Sequence, residues 1–175
     1  MSRRRYVLAG LLLGVGLGGF VDGIVMHQLL RWHHLLSSTD VSGSHVAWDG
    51  AFHSVTWVAT LAGVLLLGRT WERLPVRALV GLMVAGWGAF NVVDSVLSHW
   101  VLGLHHIRED VAEPFWWDLG FFVLALVLVA TGVALWRSAS PVQSGRHGED
   151  PRARDARPGG PVARGAGVPG REGGR

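Results

Sequence analysis

Two stretches of the chain carry the same ionisable residues at the same spacing. Residues 14–35 read GVGLGGFVDGIVMHQLLRWHHL and residues 86–107 read GWGAFNVVDSVLSHWVLGLHHI. Aligned without a gap, Asp22 meets Asp94, His27 meets His99, and His33-His34 meets His105-His106. Chance similarity between apolar segments would match Leu and Val. It would rarely place one Asp and three His at D-x4-H-x5-H-H twice. Imidazole suits zinc, iron, copper or nickel, so the pattern points to a transition-metal site. A further pair enters from the next segment of each half, where Trp48-Asp49-Gly50 resembles Trp117-Asp118-Leu119. Asp49 and His53 are four apart and share a helix face, whereas Phe122 stands where His53 does in the first half. The expected ligands are first His27, His53 and His99. Asp22, Asp49, Asp94, Asp118, His33, His34, His105 and His106 complete the candidate set.

The period of an α-helix constrains how these groups combine. At about 100° per residue, Asp22 and His27 stand roughly 140° apart and need not share one site. The Asp can instead accept the second imidazole N–H of a ligating His on a neighbouring helix. Two alternatives stand beside the metal reading. One is a b-type haem held between His27 and His99 on two helices. The other is a hydrogen-bonded layer, structural or proton-handling, with the HH pairs solvated at its rim. There are no Cys and only three Met, which disfavours a soft Cu(I) site and excludes disulfide and CxxC chemistry. No G-x-S-x-G or H-E-x-x-H motif occurs, so an enzyme is not the leading expectation. A metal-dependent enzyme would need an open coordination position and a base, for which Asp49 or Asp118 would serve.

The segments that must position these residues are long and apolar. Four blocks run from Tyr6 to about Leu30, from about Trp48 to Gly68, from about Val76 to Leu102, and from about Phe115 to Trp136. A bilayer core of ~30 Å needs about 20 apolar residues at 1.5 Å each, and each block meets that. Backbone in lipid must satisfy its own hydrogen bonds, so four transmembrane helices follow. The Arg3-Arg4-Arg5 start resembles a signal peptide, but no small-residue cleavage site follows and the first helix is expected to be retained. All 16 basic residues are Arg. Arg3, Arg4, Arg5, Arg69, Arg73, Arg77 and Arg137 flank one end of the helices, whereas the other two loops hold only Arg31 and Arg108. The positive-inside rule then puts both termini in the cytoplasm. Asp22 lies about 24 Å up the first helix, so the His/Asp layer belongs to the outer side. The nine Trp fall mainly near the two boundaries and are expected to be interfacial anchors.

The fold class expected is therefore all-α integral membrane. Four transmembrane helices form two duplicated helical hairpins, about residues 6–68 and 76–137, within a domain spanning 1–137. A four-helix bundle is the expected packing, aided by Gly14-x3-Gly18, Gly19-x3-Gly23 and Gly81-x3-Ala85-x3-Ala89. Residues 138–175 are rich in Pro, Gly, Arg and Ser and cannot bury a core. A disordered cytoplasmic tail is expected there, solvated beneath an anionic leaflet. The partners expected are the lipid bilayer and a second copy of the chain, since a transport pathway would need oligomerisation. No nucleic-acid partner is expected.

The stretch from Gly18 to His34, with its D-G-x-x-x-H-Q-x-x-x-W-H-H motif, resembles the signature of a bacterial family of predicted membrane proteins, domain of unknown function 2243. Asp49 with His53, and Asp94 with His99 and His105-His106, also look like its pattern. The resemblance covers about residues 6–137 and implies a multi-pass membrane protein. It implies no activity, so the metal expectation rests on the residues themselves.

Overall fold

The computed structural model describes residues 3–38, 45–68 and 75–139. Helix α1 spans Arg3–Val21, α2 His45–Leu67, α3 Val76–Asp94 and α4 Pro114–Ser138. Two π-helical segments continue the odd-numbered helices, π1 over Asp22–Leu30 and π2 over Ser95–Val101. No strand occurs among the described residues. The four continuous helical stretches are each long and apolar enough to cross a membrane, at 28, 23, 26 and 25 residues. The expectations for the tail and for Arg69 and Arg73 lie outside the described residues.

Local chemistry marks the helix starts. Pro75 precedes α3 in an extended conformation and Pro114 opens α4, where a missing N–H costs nothing. The π segments end alike. Trp32 N–H reaches the Met26 carbonyl at 3.0 Å, and Leu104 N–H reaches the Ser98 carbonyl at 2.7 Å. Both bonds span six residues, and the residue before each donor is left-handed, Arg31 at φ 52° and Gly103 at φ 57°.

The helices pack in the order α2, α1, α3, α4, with α1 against α3 at the centre. Helices α2 and α4 each lie against one central helix and make no close packing with each other among the described residues. The expected closed bundle is thus opened on one side. The reason lies in where the small residues sit. Glycine lines α1 and α3, letting the central pair approach backbone to backbone: a Cβ on Gly14 would collide with the Met83 carbonyl, and one on Gly86 with the Leu11 carbonyl. Gly63 of α2 and Gly132 of α4 make equivalent close contacts with α1 and α3. The outer helices otherwise present Val, Leu and Trp outward: Val55, Trp57, Leu65, Leu124 and Val127 are all exposed. That surface is suited to lipid and not to water.

Candidate metal centre

The His-rich end of the helices is built twice. In the first half, Asp22 and His27 of π1 converge with His33 of the following turn; in the second, Asp94 and His99 converge with His105. Within each trio, one ligand atom per residue lies within 4.8 Å of the others. The π-helix is what makes this possible. Its hydrogen bonds run five residues along the chain, so residues five apart stack on successive turns. Asp22 Oδ2 is thereby 3.4 Å from His27 Nε2, and Asp94 Oδ2 is 3.4 Å from His99 Nε2. The expectation that Asp22 and His27 need not share a site assumed α-helical periodicity, which fails at this point in the chain.

The second carboxylate of each half works from the neighbouring helix. Asp49 Oδ1 accepts from His27 Nδ1 at 2.9 Å and from the Leu35 N–H at 3.0 Å, while Oδ2 accepts from His34 Nδ1 at 2.7 Å. Asp118 repeats this with the Ile107 N–H at 2.8 Å and His106 Nδ1 at 2.7 Å. His99 Nδ1 lies 3.0 Å from Asp118 Oδ1, too obliquely for a hydrogen bond. Asp49 thus holds Nδ1 of His27 and turns its Nε2 toward the trio, and Asp118 faces His99 Nδ1 without closing that bond. A phenylalanine completes each seat, with Phe52 stacked on His27 at 5.6 Å and Phe121 on His99 at 6.0 Å.

The two trios touch through their third members. The His33 and His105 rings stack at 4.7 Å with an interplanar angle of 4°. His27 meets His33 edge-on at 4.7 Å, and His99 meets His105 edge-on at 4.8 Å. A continuous row of four imidazoles, His27, His33, His105 and His99, thus joins the two carboxylates Asp22 and Asp94. His33 and His105 belong to the candidate ligand set, and only the hydrogen-bonded-layer alternative leaves them solvated at a rim; both are 2% exposed. The connections that carry them cover each other. Ser37 and Ser38 both donate to Glu109 Oε1, at 2.7 and 2.8 Å, and His33 Nδ1 donates to the Ile107 carbonyl at 3.0 Å. Arg108 lies between the Trp32 and Trp117 rings, 5.2 and 4.9 Å from their centroids, so these two Trp are part of a loop clasp as well as boundary residues. Only the folded contact between the two connections reveals that clasp.

The donor set can be tested for fit to a cation. The Nε2 atoms of His27, His33, His99 and His105 are all buried and have no hydrogen-bond partner. A buried imidazole nitrogen left without a partner is costly unless something else fills the position. Burial pushes His33 down to about 4, against a smaller opposing pull from Asp22. Its ring is therefore neutral at neutral pH, and with Nδ1–H committed to Ile107 its lone pair sits on Nε2. Ligands about 2.0–2.1 Å from a tetrahedral zinc stand roughly 3.3 Å apart. The 3.4 Å Asp–His separations match that edge, and the third members lie slightly wider, with His33 Nε2 4.0 Å from Asp22 and His105 Nε2 3.8 Å from Asp94. Two imidazoles and one carboxylate per trio are a donor set that zinc, iron and copper all accept.

Not every expected ligand joins a trio. His53 donates from Nδ1 to the carbonyl of Asp49 in its own helix at 2.8 Å, and its Nε2 rests against Gly23. In the second half, Ser95 and Phe122 take the places of Gly23 and His53. His34 and His106 are held by Asp49 and Asp118 at the partly exposed rim.

Four membrane-crossing helices that carry paired, buried Asp/His clusters at one end define the chain as a multi-pass membrane protein. It belongs to the family described as "Predicted membrane protein (DUF2243)", which matches residues 9–139. No curated protein and no solved structure matches the chain.

Proposed function

We propose that the protein binds transition-metal ions, zinc, iron or copper, at two adjacent His2Asp sites: Asp22, His27 and His33, and Asp94, His99 and His105. The observation that carries this reading is the set of four buried Nε2 atoms without partners, each aimed beside a carboxylate. A structural hydrogen-bonded layer would be expected to pair those nitrogens; here Nδ1 is paired in His27 and His33, and all four Nε2 atoms stay without a partner. The same geometry argues against haem. A macrocycle between His27 and His99 would need the space in which the His33 and His105 rings stack. Three protein ligands per ion leave a coordination position open, which is the arrangement of sites that exchange or activate a further ligand. The test is elemental analysis of the protein purified from metal-replete cells, which should return two equivalents per chain. Metal-free protein that resists loading while remaining folded would leave the layer as a hydrogen-bonded plug, and a Soret band would restore haem.

The sites belong on the outer side of a bacterial plasma membrane in this reading. Arg3, Arg4, Arg5, Arg77 and Arg137 lie at the opposite helix ends, and Arg108 at the His-rich end is neutralised by Asp110 at 2.7 Å. The native chain has no Cys, so single cysteines report cleanly. Cysteine at Ala112 should react with an impermeant thiol reagent in intact cells, and cysteine at Ser138 only after lysis. Labelling at Ser138 alone would invert the topology and turn the metal sites toward the cytoplasm.

A further inference from the structure

Several differences between the two halves gather in one place, and there the first half holds a cavity. It has a volume of about 500 Å³ and lies between π1 and the first turns of α2, lined by His27, Gln28, Arg31, His34, Asp49 and His53. That size falls within the range of small-molecule sites. In the second half, Trp100 replaces Gln28 and Phe122 replaces His53, and their rings pack together with centroids 5.0 Å apart. Two aromatic side chains therefore occupy the region that, in the first half, is an open cavity.

Arg31 adds a second, independent sign. It is left-handed, at φ 52°, where the second half uses Gly103 at φ 57°. Glycine adopts this conformation without strain and arginine does so rarely, because its Cβ crowds the following carbonyl. A chain that already uses glycine at the equivalent turn has kept a strained arginine here, which points to a task for the side chain. The strained residue also lines the cavity, and among the described residues its guanidinium has no ion-pair partner. The Asp49 oxygens are already taken by His27, His34 and Leu35. Beside the imidazoles of His34 and of His53, whose Nε2 has no partner, the polar groups left to a ligand are the exposed Arg31 guanidinium and Gln28 amide, which together suit a tetrahedral or planar oxyanion.

We propose that this cavity is a binding site for a phosphate-type oxyanion, held by Arg31 and Gln28 beside His27. The anion is either free in solution or the headgroup phosphate of an anionic lipid, since both present the same oxygens. The site does not depend on metal occupancy, so its test is separable from the one above. An alternative task for Arg31 is to place a cation against the carbonyls ending π1, which would need no ligand.

The experiment measures thermal unfolding of the detergent-solubilised, metal-stripped full chain, with potassium phosphate against potassium chloride at equal ionic strength. A second arm compares mixed micelles containing phosphatidylglycerol with zwitterionic ones. Wild type should be stabilised saturably by phosphate, by phosphatidylglycerol, or by both; phosphate alone identifies the free anion and phosphatidylglycerol alone the lipid. Arg31→Gly should keep or raise the unfolding temperature without ligand, because it relieves the strained turn. Its response should weaken by at least about tenfold in apparent affinity, the worth of a charge-assisted hydrogen bond. The double variant Gln28→Trp/His53→Phe, which rebuilds the second half's filling, should lose the response. The proposal fails if neither probe stabilises wild type, if Arg31→Gly responds as wild type does, or if Arg31→Gly lowers the unfolding temperature without ligand, since the last result would make Arg31 a structural cap.

Discussion

His27→Ala should reduce bound metal from two equivalents to one, and so should His99→Ala; the double variant should bind none. Each substitution removes an imidazole that sits 3.4 Å from its carboxylate and whose Nε2 has no other partner. Losing a residue that merely orients a ligand weakens metal affinity by about 10–100-fold, so losing the ligand itself should exceed that. Asp22→Asn and Asp94→Asn remove the only charge in each trio and should behave like the His variants. His53→Ala should leave both equivalents in place, because its Nε2 rests against Gly23 and faces neither trio. His147→Ala in the tail serves as a control. Two equivalents retained in a folded His27/His99 double variant would sink the assignment. Loss of metal from His53→Ala alone would return His53 to the ligand set.

Much of this site could be read from the sequence because ionisable residues in apolar segments are rare and the same set occurs twice. The four spans and the gathering of His and Asp at one end follow from residue type and spacing; the orienting role expected of Asp22 falls instead to Asp49 of the neighbouring helix. What could not be read was the period of local winding. Asp-x4-His is an unhelpful spacing in an α-helix and a productive one in a π-helix, and nothing in composition separates the two. The repetition of the same odd spacing in both halves was the available clue, since a spacing kept twice suggests a period that uses it. His33 and His105 were misplaced for a related reason. Counted at 1.5 Å per residue they fall at or beyond the membrane boundary, whereas the left-handed residues Arg31 and Gly103 turn the chain back over the helix ends and bury both rings. The preference for His53 over His33 came from helix-face arithmetic, which is blind to a ring that bonds its own helix carbonyl.

The row of stacked rings also bears on how the two sites relate. His33 and His105 are in contact across the junction of the two halves, so a cation on one trio raises the electrostatic cost of a second on the other. The glycine-lined crossing of α1 and α3 brings the halves this close. Their separation is thus set by helix packing together with the connections that carry His33 and His105.

The carboxylates that do not face the trios should matter most for stability. Asp118→Ala is expected to destabilise the protein by about 3–5 kcal/mol, the cost of removing one partner from a buried charged cluster. Asp118 is 1% exposed and accepts from the Ile107 N–H and from His106, with His99 3.0 Å away. Its removal strands a buried backbone donor together with two imidazoles and frees the connection that carries His105. Asp49→Ala should act similarly through Leu35, His34 and His27. Asparagine at either position keeps one acceptor oxygen and should cost less, about 1–2 kcal/mol. Asp22 and Asp94 provide the contrast. Their contacts with the trio imidazoles are long, at 3.4–4.0 Å, so Asp22→Asn and Asp94→Asn should cost the metal-free fold less than Asp118→Ala, about 0.5–1 kcal/mol, or stabilise it by removing a buried charge. Denaturant unfolding of the metal-free protein in mixed micelles measures both sets on one scale. A loss of stability in Asp22→Asn equal to that in Asp118→Ala would show that all four carboxylates are structural. If instead Asp118→Ala unfolds readily while Asp22→Asn stays folded and empty of metal, one carboxylate of each half holds the site in shape and the other completes it.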